Sequence, residues 1–387
     1  MNKKQKQLLI HITLFLVTFV ATTIAGAEWM YSKYVLWVPE EALMTWSDFI
    51  GGLHFSVPFL LILTVHEFGH YFTARYHKID VTLPFYIPMW LGFILAPSFG
   101  TMGAFIRIKD RIISLKHYFD VGVSGPLAGF VIAMGVIWYG FANLPEPEYI
   151  FQIHPEYEQY GLDYADHVYD EEQLMAYQFG DNIIFWFFKE YVADPERLPN
   201  ENEIIHYPYI LAGYLALFFT ALNLLPIGQL DGGHIIFGLF GPRLHEIISK
   251  VLFTLFIFYS GLGLVTLGDL KDVGMESSLQ FLLIIFAYLY FLYVSAYSMF
   301  ELKRDRWLFA AAIFATQFMA NSLFGVEGYS GWLLYGFLLG RVLGVNHPPV
   351  LDHRSLSVGR QVLGWIAVVV FILSFSPEPF IIAFGGE

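Results

Sequence analysis

The run VHEFGH, Val65 to His70, places two histidines and a glutamate in a stretch otherwise apolar enough to cross a membrane. Ionisable groups at that depth are costly, so three together need a reason. Four residues apart on a helix, His66 and His70 share one face about one turn from each other. Two imidazoles so placed can hold one zinc ion, with Glu67 beside them able to take a proton from a water polarised by the metal. With 13 histidines in 387 residues, chance supplies roughly 0.02 matches to His-Glu-x-x-His, so the motif is specific.

Catalytic zinc commonly takes three protein ligands and a water. The chain has no cysteine, so the third donor is not a thiolate. The segment FFTALNLLPIGQLDGGHIIF, Phe218 to Phe237, contains one acid, Asp231. Pro226 interrupts its apolar run, and Gly232 and Gly233 permit the irregular backbone that is tolerated at membrane depth where it lines a polar cavity. Asp231 is therefore the expected third ligand. Iron or cobalt would fit the same donors, but zinc, one ion per chain, is the expectation.

These residues must be positioned by membrane helices. The sequence is 56% hydrophobic and 14% charged, with a mean hydropathy of +0.55. Soluble domains carry about 25% charged residues, so the composition points to a polytopic membrane protein. Apolar runs of spanning length lie near 8–26, 54–76, 119–142, 207–226, 246–266, 279–300, 307–326 and 360–376, with a shorter one at 331–345. The basic start and Ala25-Gly26-Ala27 also suit a cleavable signal peptide, but the length of the run favours a retained helix. The net charge of −13 gives no reason to expect a nucleic-acid partner; the expected partners are the lipid bilayer and a transmembrane protein substrate.

Charge placement sets the orientation. Between 143 and 206 there are 15 acidic and 2 basic residues, whereas Lys and Arg gather at 3–6, 75–116, 303–306 and 341–360. With nine spans every basic cluster falls on one side and the acidic segment on the other. The positive-inside rule makes the basic side, with the N-terminus, cytoplasmic and the 143–206 insertion extracytoplasmic. No transit peptide is visible, which favours a bacterial inner membrane over a plastid one.

The expected fold is all-α and polytopic, with about nine transmembrane helices and a small membrane-embedded β-hairpin-like segment near 80–110. Glycines and prolines of 82–103 argue against a regular helix there. Ala104 to Lys109, AFIRIK, alternates like a half-exposed strand that can pair with an unwound substrate. The expected divisions are 1–52 (first helix and external segment), 53–142 (core helices and hairpin), 143–206 (acidic insertion), 207–245 (core helix with the third ligand) and 246–387 (C-terminal helices). Within the insertion, Asn182 to Tyr191 reads as an amphipathic or membrane-apposed helix and the remainder as a solvated loop.

His66-Glu67-Phe68-Gly69-His70, followed by Asn223-x-x-Pro226-x-x-x-Leu230-Asp231-Gly232, resembles the paired signature of the site-2 protease family, the intramembrane zinc metalloproteases. Ser124-Gly125-Pro126-Leu127-Ala128-Gly129 is similar to that family's glycine-rich motif, as is Gly100-Thr101-Met102-Gly103-Ala104-Phe105. The likeness covers roughly 53–240 and is greatest to the branch without a PDZ domain, which His347-Pro348-Pro349 also resembles. It implies His66, His70 and Asp231 as zinc ligands and Glu67 as catalytic base. It further implies that Asn223 positions the substrate backbone or oxyanion, that His234 has a supporting role, and that Gly125, Pro126, Gly129, Pro226 and Gly232 are structural. The implied activity is hydrolysis of peptide bonds within or near transmembrane helices. The competing reading, an intramembrane metal transporter or sensor, does not need Glu67.

Overall fold

The computed structural model describes residues 2–94, 96–169, 175–268 and 278–384. The chain is mainly helical and divides into two compact units, one formed by 1–112, 123–223 and 367–387, the other by 113–122 and 224–366. Among the described residues, five helices are long and apolar enough to cross a membrane: Lys3–Tyr31, Trp46–Tyr76, Leu115–Ala142, Leu279–Ser298 and Lys303–Phe324. Pro208–Leu224, Trp332–Leu343 and Val358–Ser374 are apolar but shorter. The run expected at 246–266 lies in Asp231–Ser260, which breaks at Gly241-Pro242, where Gly241 takes φ 77°. Positive φ followed by proline ends one helical segment and starts another.

In the first unit, α1 (Lys3–Tyr31) and α2 (Trp46–Gly51) precede α3 (Leu53–Tyr76). Helices in lipid associate through small residues and shared hydrogen bonds. Accordingly, α1 meets α3 where Thr23 Oγ1 lies 2.9 Å from Ser56 Oγ. A Cβ on Gly26 would lie 2.7 Å from the Phe55 ring. Leu8, Leu9, Ile12 and Leu16 at the start of α1 stay exposed, as a lipid-facing surface would.

Within 80–110, β1 (Phe85–Met89) and β2 (Gly100–Phe105) pair antiparallel as a small sheet, with a register shift between Tyr86 and Pro88. The strand expected at 104–109 therefore starts and ends earlier, keeping only Ala104 and Phe105. Beyond Phe105 the pairing continues as isolated contacts: Val81 bridges Ile108, and Lys109 N–H donates to Asp80 O at 2.9 Å. Gly100 sits at φ +75° with a hypothetical Cβ only 2.4 Å from the α1 backbone at Thr22, so only glycine lets β2 approach α1 there.

Helix α4 (Leu115–Ala142) leads into the insertion, where α5 (Ala165–Val168), β3 (Met175–Phe179) and α6 (Ile183–Tyr191) sit among 3-10 turns. Residues 170–174 of the insertion lie outside the described ones. Helix α6 is docked, as the amphipathic reading expects: Ile184, Phe185 and Phe188 are buried in the core formed with Phe141, Ile210 and Tyr214. Helix α7 (Pro208–Leu224) packs on α4, with Gly213 against Ile137. One pairing has no local signature in the sequence: β3 runs antiparallel to the C-terminal strand β4 (Phe380–Phe384), Phe179 opposite Phe380.

The second unit contains α8 (Asp231–Ser260), α9 (Ser278–Ser295), α10 (Lys303–Phe324), α11 (Trp332–Phe337) and α12 (Val358–Ser374), the last entering the first unit at Ala367. One of its buried polar side chains, Gln317, is paired, as an apolar surround favours. Gln317 donates to the carbonyls of Ile257 and Phe258 and accepts from the Tyr288 hydroxyl at 2.9 Å.

Candidate metal centre

His66, Glu67 and His70 lie on the middle turns of α3 and are buried, with 5%, 5% and 7% exposure. The i, i+4 spacing brings the two imidazole Nε2 atoms to 3.0 Å from each other. Two donor nitrogens converging in this way suit a cation, since a tetrahedral zinc ion with Zn–N bonds of about 2.05 Å sets its donors about 3.3 Å apart.

The glycine-rich motif makes this arrangement fit. Gly69 of α3 lies against the α4 backbone, where a Cβ would stand 2.7 Å from Ser124 O. The contact is closed by a hydrogen bond from Ser124 Oγ to Gly69 O at 3.1 Å. At the next residue, a Cβ on Gly125 would stand 2.2 Å from His70 Nε2, and one turn further a Cβ on Gly129 would stand 3.0 Å from His66 Cβ. Gly125 and Gly129 therefore leave the space that the imidazoles occupy, and Pro126 is accommodated inside the helix between them. Strand β1 is tied to α3 by a 2.7 Å hydrogen bond between Thr64 Oγ1 and the hydroxyl of the buried Tyr86.

Asn223 stands half-buried in the last turn of α7. In the second unit, the turn after Pro226 is held by Gly228, whose N–H donates to Ser249 Oγ at 2.8 Å, while Ser249 Oγ donates to Val345 O at 2.6 Å. Gly228 adopts φ +58° and a Cβ on Gly232 would meet Leu224 O at 1.9 Å, so this turn closes only around glycines. Asp231 is the first residue of α8, where the unpaired N–H groups of a helix start favour a carboxylate.

His234, one turn along α8, is fixed by His347. Their Nδ1 and Nε2 atoms are 2.8 Å apart, while His347 Nδ1 lies 2.8 Å from Pro348 O. A carbonyl only accepts, so His347 Nδ1–H donates to it, and His347 Nε2 must accept from His234 Nδ1–H. Burial and the neighbouring His234 push the His347 imidazole down to about 3, which keeps it neutral for that role. Phe237 stacks on His347 at 3.7 Å. His347 carried only a weak cue in the sequence because it reaches His234 across 113 positions.

Comparison with known proteins agrees with this chemistry. The description Peptidase family M50 matches residues 54–267, which include both motifs and more than half of the chain. A rice (Oryza sativa subsp. japonica) protein named "Probable zinc metalloprotease EGY1, chloroplastic" is 27% identical over 182 residues, 47% of this chain and 27% of that one. "Probable zinc metalloprotease EGY2, chloroplastic" of Oryza sativa subsp. indica is 26% identical over 200 residues, 52% of this chain and 31% of that one. The Arabidopsis thaliana EGY1 protein is 27% identical over 182 residues, 47% and 28% of the two chains. The chain thus spans less than a third of the length of these relatives. With the His-Glu-x-x-His helix, its glycine cradle and the Leu-Asp-Gly turn all inside the matched residues, the chain belongs to peptidase family M50, the site-2 protease family.

Proposed function

We propose that this protein is an intramembrane zinc metalloprotease that cuts peptide bonds within or beside transmembrane helices of other membrane proteins. The observation that carries the reading is the buried pair His66 and His70, facing at 3.0 Å with Glu67 alongside in an otherwise apolar helix. Family membership and the printed names of the relatives support it.

In this reading His66, His70 and Asp231 hold one zinc ion, a donor set of two imidazoles and a carboxylate typical of catalytic sites. When bound, the ion supplies Lewis acidity, polarising a peptide carbonyl and making water more acidic. Glu67 accepts a proton from the attacking water and delivers it to the leaving nitrogen. Asn223 orients the substrate backbone. His234, its tautomer set by His347, offers a further hydrogen bond. A helical substrate must unwind before its carbonyls are accessible, and an outer edge of the β1–β2 pair, two-stranded among the described residues, suits main-chain pairing with the unwound stretch.

We further propose nine crossings: the five long helices, the three shorter ones and the part of α8 after Gly241. The pairing of β3 with β4 supports this count. Paired strands lie on one side of the membrane, so the chain crosses an even number of times between 179 and 380, as nine spans require. The basic clusters then face the cytoplasm and the insertion faces outward. A bacterial inner membrane remains the proposed location, although the named relatives are chloroplastic.

The test is cleavage of a synthetic transmembrane peptide by the full chain in detergent, wild type against Glu67→Gln, with zinc quantified in both. Cleavage by the wild type, reduced on the order of 1000-fold in the variant with zinc retained, is expected. Equal cleavage by both overturns the role of Glu67. Zinc in both with cleavage in neither favours a metal transporter or sensor.

A further inference from the structure

The acidic insertion contains a second group of metal-binding side chains that the protease reading does not use. His154 stands just before the 3-10 run Pro155–Asp163, and Glu203 and His206 belong to the 3-10 helix Glu201–His206. Side chains three apart eclipse each other in a 3-10 helix, so Glu203 and His206 point the same way. Their Oε2 and Nε2 atoms are 3.2 Å apart, and His154 Nε2 lies 3.4 Å from His206 Nε2. All three donors lie within 4.8 Å of one another.

Each ring nitrogen on the far side is already committed. His206 Nδ1 lies 2.9 Å from Met30 O at the end of α1, and His154 Nδ1 lies 2.9 Å from Glu156 Oε1. Both partners are acceptors, so both Nδ1 atoms carry protons, and in the neutral rings both Nε2 atoms present lone pairs to each other. An outer acceptor on each ligating histidine is the support that metal sites use to orient imidazoles and raise their basicity. The Tyr169 hydroxyl donates to Glu203 Oε1, leaving Oε2 for the cluster. Glu203 and His206 are 1% and 2% exposed, and His154 is braced by Tyr157 stacked at 4.6 Å.

Two lone-pair nitrogens and a carboxylate oxygen converging under cover repel one another unless positive charge sits among them. One proton on His206 would satisfy a single pair, whereas one divalent cation satisfies all three. The separations of 3.2 and 3.4 Å match the roughly 3.3 Å between donors on a tetrahedral zinc ion. A cavity of about 270 Å³, lined also by Glu28, Tyr157 and Tyr177, adjoins the cluster and gives room for a water at the fourth position.

We propose that His154, Glu203 and His206 form a second divalent transition-metal site of zinc class, distinct from the His66–His70 centre. It ties the start and end of the insertion to each other and, through Met30 O, to the end of α1. The test uses the full chain in detergent, stripped of metal and reloaded with Zn²⁺ alone, with zinc per chain counted after desalting. The His66→Ala/His70→Ala chain is expected to keep about one zinc, and adding Glu203→Gln to weaken its binding by at least roughly 100-fold. Glu203→Gln preserves side-chain shape and can still accept from Tyr169, so a folded variant is expected. Co²⁺ added to the His66→Ala/His70→Ala chain should give the visible absorption of a tetrahedral site, which needs no change in the insertion. A folded His66→Ala/His70→Ala chain that binds no Zn²⁺ and shows no such absorption overturns the site, as does zinc content unaltered by His154→Ala/His206→Ala. These results are read independently of cleavage, so they stand apart from the protease assignment.

Discussion

Gly125 of α4 lies so close to His70 that a Cβ carbon built on it would stand 2.2 Å from the imidazole Nε2. Atoms do not approach that closely, so Gly125→Ala must displace the ring. Gly129 makes a looser contact, its Cβ position lying 3.0 Å from His66 Cβ. Gly125→Ala is therefore expected to lower both zinc affinity and peptide cleavage by at least roughly 100-fold, while Gly129→Ala costs about ten times less. Zinc titration beside cleavage rates checks this. Equal and small effects from both would mean that α4 shifts freely and is not the wall of the site.

Much of the candidate metal centre is legible in the sequence because its parts are local. His66, Glu67 and His70 fall within five positions on one helix, and the Gly125–Gly129 motif stands out by its likeness to the family's glycine-rich motif. The Asp231 turn announced itself by Pro226 and Gly232. What the sequence concealed depends on long separations. The bond between His234 and His347 joins residues 113 positions apart, and β3 finds β4 across some two hundred. Neither has a periodicity to read. The hairpin was legible as non-helical, but its boundary was not: alternation in Ala104 to Lys109 suggested a strand, whereas the ladder rests on Gly100–Phe105, where glycine permits approach to α1. The 3-10 spacing that joins Glu203 to His206 was hidden for a similar reason, since nothing in Glu201–His206 distinguishes it from an acidic loop.

The hydrogen bond from His234 Nδ1–H to His347 Nε2 gives a second prediction. If it sets the tautomer of a residue serving the reaction, His347→Ala should lower kcat on the order of tenfold with zinc content and KM little changed. Restoring an acceptor with His347→Gln should recover part of the loss. A fall in thermal stability with kcat unchanged would instead make the pair purely structural.

Arg360 at the start of α12 grips Asp120 of α4 with two bonds, Nε to Oδ1 at 2.6 Å and Nη2 to Oδ2 at 2.9 Å. The side chains are 27% and 13% exposed, so solvent screens the pair only partly. Two parallel bonds of this kind are stronger than a surface ion pair. Asp120→Asn is expected to cost about 1–3 kcal/mol in detergent unfolding. Arg360→Lys, which keeps the charge but loses the fork, should fall in between. Indistinguishable unfolding of all three proteins would show the pair to be energetically idle.

The acidic insertion is in part a piece of the core, and a pair of adjacent residues tests this. Phe185 is fully buried, its ring 5.4 Å from Phe141 and 5.0 Å from Tyr214. Trp186 beside it is 47% exposed. Emptying the Phe185 site removes contacts that no neighbour replaces, so Phe185→Ala is expected to cost about 3–5 kcal/mol. Trp186→Ala removes a larger side chain yet is expected to cost less than about 1 kcal/mol. Thermal unfolding of the two variants in the same detergent separates them. It also sets the limit for any truncation: a deletion reaching 183–191 removes core and would unfold the first unit, whereas one confined to the earlier part of the insertion can ask whether it screens substrates. Deletion of 155–169 with unaltered cleavage of long and short peptides would leave the insertion with no part in selection.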